Sequence, residues 1–279
     1  MVRCSLTIDD GHRRLFAVRH GPYELGPPRA LYDAGAFGIY ADGDWVGRSL
    51  ADLGIPMVSY SRAGLYKSDP VPDGVVPDPF WHADDMARLL DACEVTQPVL
   101  LIAHSMAGLR AHGFAARYPE RVGAVLLIDA VTPVQLGWSV RRNVVRSLAR
   151  SISVCSQAAR GRATRSLLRL YPNFFDLDGE AHRDKMASWA DPGHLLATKA
   201  EILAATDPAL KDRLVPITHC PIASVAATVV ASGDKMALGP ARATGRRTER
   251  LEWPGVGHAK ILSPQYARQL ATLGASLLA

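Results

Sequence analysis

Ser105 lies in LLIAHSMAGL, between an apolar run and a helical pattern, where a hydroxyl raised on a sharp strand-to-helix turn could attack a carbonyl. PVLLIA reads as a buried strand and AGLRAHGFAARY as a helix, leaving only His104 and Ser105 to turn the chain. So tight a turn admits only small side chains two residues either side of the serine, and Ala103 and Ala107 meet that demand, with Gly108 behind them. A serine hydroxyl is a poor nucleophile until a base takes its proton. His258, in the glycine-containing loop of EWPGVGHAKILSP, is the candidate base: it follows the strand TERLEW and can lean over the sheet toward the turn. His104, next to the serine, is expected to point away on the other side of the turn. His20, His82 and His112 fall in a hairpin, a helix start and a helix, and are read as surface or structural residues.

The histidine needs an acid to orient it and to stabilise its protonated form. Two aspartates sit at strand ends between the serine and the histidine. Asp129 closes AVLLIDA, and Asp234 follows ATVVASG. Either fits the chain order for the acid. The turn geometry also supplies one donor for a developing oxyanion, the backbone N–H of Met106.

The elements that must position these groups alternate along the chain. Short β-like runs, SLTI, LFAVRH, ALYDAG, IPMVSYS, PVLLIAHS, AVLLIDA and ATVVASG, alternate in their later part with helical patterns such as DWVGRSLADLG and HADDMARLLDACEV. Such alternation predicts an α/β protein with a mostly parallel, doubly wound sheet. The interval 133–215 breaks it, continuing in helical patterns such as GHLLATKAEILAA without a strand. It is read as a helical cap insertion, with 1–132 and 216–279 forming one core domain.

Composition narrows the function further. With 279 residues, 48% of them hydrophobic, the chain can bury a substantial single core. Its 4 cysteines are far apart and form no C-x-x-C pair, so neither a zinc knuckle nor a disulfide framework is expected. There is no G-x-G-x-x-G after a first strand and no H-x-x-x-H pair, so no organic cofactor and no metal are implied. The start lacks an apolar leader and no run is long enough to span a bilayer, which predicts a cytoplasmic protein. The net charge of +5 concentrates in an arginine-rich part of the insertion, where Arg142, Arg146 and Arg150 recur at helical spacing. The absence of interleaved aromatics there argues against nucleic acid, and a solvated helix face is the plainer reading.

From ALYDAG to the C-terminal helix, the chain resembles the α/β-hydrolase fold superfamily. The resemblance rests on AHSMAG at the turn, YSRAGLYKSD after the preceding strand, ARYPERVGAVLLIDA and PGVGHAKILSP. Ala103 and Ala107 stand where the family's G-x-S-x-G has glycines. The resemblance implies Ser105 as nucleophile, His258 as base, and an acid at either Asp129 or Asp234, since family members supply it from both strand ends. Asp129 is preferred, with Asp234 the alternative, because the family's more frequent acid comes three residues after the strand's glycine, where Met236 stands, while Asp234 follows Gly233 immediately. Aligning DAGAFG with the family's H-G-x loop makes the Ala36 N–H the second oxyanion donor, with Phe37 as the fallback. It further implies hydrolysis of a small, hydrophobic carboxylic ester through an acyl-enzyme, and a serine at this position disfavours the aspartate-nucleophile branches, dehalogenases and epoxide hydrolases. A lactonase, amidase, thioesterase or C–C bond hydrolase would use the same triad. A non-catalytic ligand-binding protein is the reading from another class. Trp138, Phe174, Phe175 and Trp189 in the insertion are the candidate substrate-binding residues.

Overall fold

The computed structural model describes residues 3–9, 13–137, 139–161 and 172–279. Among the described residues eight strands, β1 (Arg3–Asp9), β2 (Arg14–His20), β3 (Ala30–Asp33), β4 (Met57–Tyr60), β5 (Val99–His104), β6 (Val122–Ile128), β7 (Ile222–Ala226) and β8 (Thr248–Glu252), form one sheet. Its order is β1-β2-β4-β3-β5-β6-β7-β8. β2 runs antiparallel to β1 and β4, and every pair from β4 to β8 is parallel. The strand order reverses between β3 and β5, and in open parallel sheets the crevice beyond the strand ends at that point is where ligands bind.

β5 as far as Ala103, and the whole of β6, carry no polar side chain because both faces of the sheet are covered there. Leu101 and Ala103 of β5 join one core cluster with Met86, Leu90 and Phe114, from α2 (Pro79–Ala92) and α3 (Ala107–Arg117). Leu100 and Ile102 join the opposite cluster with Val46, Leu50, Leu270 and Ala271, from α1 (Asp44–Asp52) and α8 (Pro264–Leu277). Local chemistry fixes the helix starts. Asp78 accepts hydrogen bonds from the N–H groups of Phe80 and Trp81 at 3.0 and 2.8 Å, with Pro79 in the first turn.

Between β6 and β7 the chain carries α4 (Ser139–Ala158), α5 (Gly179–Trp189) and α6 (Pro192–Ala205), and no strand among the described residues. α4 packs on α6, while α5 packs on the single turn Tyr40–Gly43 that follows β3. No helix among the described residues is long and apolar enough to cross a membrane.

One strand lies elsewhere than the sequence predicts. ATVVASG is a turn rather than a strand, and the sheet instead uses the preceding IASVA, as β7. The β-branched residues were misleading because Thr228 is used locally: its hydroxyl accepts from the Val230 N–H at 3.2 Å and donates to Asp129. Asp234 consequently opens a helix, α7 (Asp234–Ala243), instead of closing a strand.

Candidate active site

Ser105 occupies the turn between β5 and α3 with φ 58°, in the left-handed region that residues other than glycine rarely adopt. The surrounding backbone holds it there. Its N–H donates to the Ile128 carbonyl at 3.1 Å, and its carbonyl accepts from the Val131 N–H at 2.8 Å. Small neighbours are a steric necessity. A Cβ on Gly108 would lie 2.2 Å from the Val131 carbonyl oxygen, and Ala103 and Ala107 are fully buried.

His258 reaches this serine from the loop after β8. The Ser105 hydroxyl donates to His258 Nε2 at 2.9 Å, and His258 Nδ1–H donates to Asp129 Oδ2 at 2.6 Å. Asp129 sits one strand over, at the end of β6, also with a positive φ of 41°. Its Oδ1 accepts the N–H groups of Ala227 and Thr228 at 3.0 and 2.9 Å, and Oδ2 also accepts the Thr228 hydroxyl at 2.6 Å. Burial alone would raise the Asp129 pKa, but the bonds from His258, Thr228 and the two backbone amides outweigh it and hold the carboxyl well below the usual range. The group stays ionised at neutral pH and imposes the His258 tautomer that leaves Nε2 free to accept a proton.

Asp234 is not brought to this histidine. Its Oδ2 accepts from Ser224 Oγ and from Arg250 Nε, each at 2.9 Å, on the far side of β7. His104 differs from expectation in direction. It shares a face of β5 with Ile102, the face against which Ile261 and Leu262 pack just after the histidine loop. Its ring therefore stacks on that of His258, 4.6 Å between centroids, and its Nε2–H donates to the His258 carbonyl at 2.9 Å. Burial, then the neighbouring His258, push its pKa down to about 3, so it acts as a neutral support. His20, His82 and His112 are all buried.

The loop after β3 lies directly against the serine: a Cβ on Gly35 would fall 2.6 Å from Ser105 Cβ. Ala36, Phe37 and Met106, the candidate oxyanion donors, pack around one apolar cluster with Ile152, Leu195 and Ile202 from α4 and α6. Phe37 has φ 59°. Of the candidate substrate-binding residues, Trp189 stacks on Phe37 with centroids 5.2 Å apart, Phe175 lies under the ammonium of Lys185, and Phe174 is exposed. Trp138 lies outside the described residues. No cluster of three or more His, Cys, Asp or Glu among the described residues could hold a metal ion.

Beneath the loop is a buried ionic cluster that the sequence did not reveal. Arg62 donates to Asp33 Oδ1, the Ala34 and Gly35 carbonyls and both oxygens of Glu201, at 2.7 to 3.0 Å. Arg110 Nε donates to Asp33 Oδ2 at 2.6 Å. The one available signal was an arginine closing an apolar strand in YSRAGLYKSD.

Comparison with known proteins agrees with this architecture. A family profile described as alpha/beta hydrolase fold matches residues 35–172. The epoxide hydrolase CorEH superposes with TM-score 0.75 at 16% identity, covering 100% of both chains. The thioesterase domain from the curacin biosynthetic pathway does so with TM-score 0.66 at 13% identity, covering 99% of this chain and 100% of that one. A protein of Hormonema carpetanum named "Probable transporter efuK" is 34% identical over 129 residues, 45% of this chain and 18% of that protein. The chain spans less than a fifth of the length of the curated relatives it matches. It belongs to the α/β-hydrolase fold superfamily.

Proposed function

We propose that the chain is a serine hydrolase that cleaves a carboxylic ester through an acyl-enzyme on Ser105. The observation that carries this reading is the continuous hydrogen-bonded line from Ser105 Oγ through the His258 ring to Asp129, at 2.9 and 2.6 Å. In it, His258 Nε2 takes the serine proton as Oγ attacks the carbonyl carbon, and Asp129 stabilises the imidazolium that forms. His258 then gives the proton to the departing alkoxide, and a water activated by the same nitrogen cleaves the acyl-enzyme. The N–H groups of Met106 and Ala36, with Phe37 as the fallback, receive the oxyanion.

A hydroxyl at the nucleophile position gives this chain different chemistry from an enzyme whose nucleophile is a carboxylate. The segment 133–215, which carries α4, α5 and α6, acts as a cap. The apolar side chains it brings to Ala36, Phe37 and Met106 favour a hydrophobic acyl or alcohol group. The test is labelling by a fluorophosphonate probe, together with turnover of p-nitrophenyl esters of graded chain length beside lactones, thioesters and amides. Wild type should be labelled and Ser105→Ala should not. Absence of labelling and turnover in folded wild type would favour a ligand-binding role instead.

A further inference from the structure

We propose that the cap is part of the oxyanion-hole scaffold, with Glu201 of α6 and Lys185 of α5 acting as positioning residues for the 33–38 loop. The inference rests on the acyl-transfer reading above. A trans peptide is planar, so the Gly35 C=O and the Ala36 N–H lie in one rigid unit and point in opposite directions. Whatever fixes that carbonyl aims the donor. The Gly35 carbonyl accepts from Arg62 Nη2 at 2.9 Å and from the Gly38 N–H at 3.1 Å. Arg62 is in turn clamped by Glu201, whose carboxylate takes Nε at 2.8 Å and Nη2 at 2.9 Å. Both side chains are buried, so solvent does not screen the pair or offer substitute partners.

The far side of the loop is held from α5. The carbonyl of Phe37, a residue in the rarely adopted left-handed region, accepts from Lys185 Nζ at 3.0 Å. One turn along the same helix, Trp189 stacks on the Phe37 ring. Lys185 is itself fixed by the buried Asp42, 2.8 Å away, just beyond the loop. The cap therefore acts, through Arg62, on the peptide group that carries the Ala36 N–H, and directly on the Phe37 carbonyl that follows the two candidate donors. If it swung away as a rigid lid, it would take these restraints with it, so it must be seated for the hole to be formed.

The test compares Glu201→Gln and the Lys185→Met/Asp42→Asn double variant, which leaves no buried charge alone, with Asp178→Asn. The last breaks a different tie between cap and core, the 2.7 Å pair with Arg48 of α1, which does not touch the loop. Steady-state kinetics on a short p-nitrophenyl ester, inhibition by phenylboronic acid, and circular dichroism would be measured for each. Losing one oxyanion donor costs about 10²–10³ in kcat, so a misaimed donor should lower kcat by about 10- to 100-fold with KM nearly unchanged. The boronate, whose tetrahedral adduct places an oxygen in the hole, should weaken in parallel, while Asp178→Asn stays close to wild type. Folded Glu201→Gln and double variants with wild-type kcat and boronate affinity would overturn the proposal and leave the acyl-transfer reading standing. So would losses matched by Asp178→Asn, which would mean general cap loosening. A folded wild type inert toward every acyl substrate and fluorophosphonate would overturn both.

Discussion

Replacing Asp129 by asparagine tests the site at its most constrained point. Oδ1 accepts two backbone N–H groups, so the asparagine oxygen must take that place, and the amide NH₂ is turned toward His258 Nδ1 and the Thr228 hydroxyl. The hydroxyl can rotate to accept. The imidazole can meet the new donor only by moving its proton from Nδ1 to Nε2, where it faces Ser105 as an N–H and can no longer accept. The base is thus lost with little change of shape. In serine proteases the equivalent change lowers kcat by about 10⁴, roughly 5 kcal/mol of barrier. Asp129→Asn should therefore lose about four powers of ten in kcat on a p-nitrophenyl ester while circular dichroism stays native. Asp234→Asn, whose partners are Ser224 and Arg250, should change kcat by less than about tenfold. Retention of a tenth of wild-type kcat by folded Asp129→Asn, or an equal loss in Asp234→Asn, would refute the assignment.

Three further outcomes follow from the geometry. Ser105→Gly should be more stable than Ser105→Ala by about 1 kcal/mol in urea unfolding, because only glycine relieves the positive φ; equal stabilities would show the turn to be unstrained. Gly35→Ala should reduce kcat more than tenfold, about 1.4 kcal/mol or more, since its Cβ would press on Ser105 Cβ, and wild-type turnover would contradict the close approach. Burial is the leading cause that pushes His104 and His194 down to about 3 and His112 down to about 4. The unfolded chain binds these protons near pH 6.5, so stability is full above that value and is lost as pH falls toward the folded values. The loss is roughly 1.3 kcal/mol per histidine between about pH 7 and 5.5, and a flat urea midpoint over that range would argue against three neutral buried imidazoles.

The parts of the site legible in the sequence are those whose constraints are local. The serine turn was readable because strand, small residues and helix occupy adjacent positions, and the histidine loop because a glycine-rich stretch separates the last strand from the last helix. The two acids could not be ranked firmly because ATVVASG carries the β-branched residues while IASVA forms the strand. Strand placement here is decided by sheet register against β6 rather than by propensity. The ionic cluster under the loop was invisible for a different reason. Arg62 and Glu201 are separated by 139 residues, and nothing in either neighbourhood names the other.

That separation bears on how the strained residues are maintained. Ser105, Asp129 and Phe37 all hold positive φ, and such conformations persist only where the surroundings over-determine them. For Ser105 and Asp129 the restraint is the parallel sheet itself: the Ser105 N–H is bonded to the end of β6, and the Asp129 N–H to the Val225 carbonyl of β7 at 2.7 Å. Phe37 has no such ladder, and its carbonyl and ring are held by Lys185 and Trp189 of α5. Ser105 and Asp129 therefore depend on the sheet, while the loop beside them depends on α5. If the proposed acyl transfer is correct, loosening α5 from the loop should consequently impair turnover before it disturbs the hydrogen bonds among Ser105, His258 and Asp129.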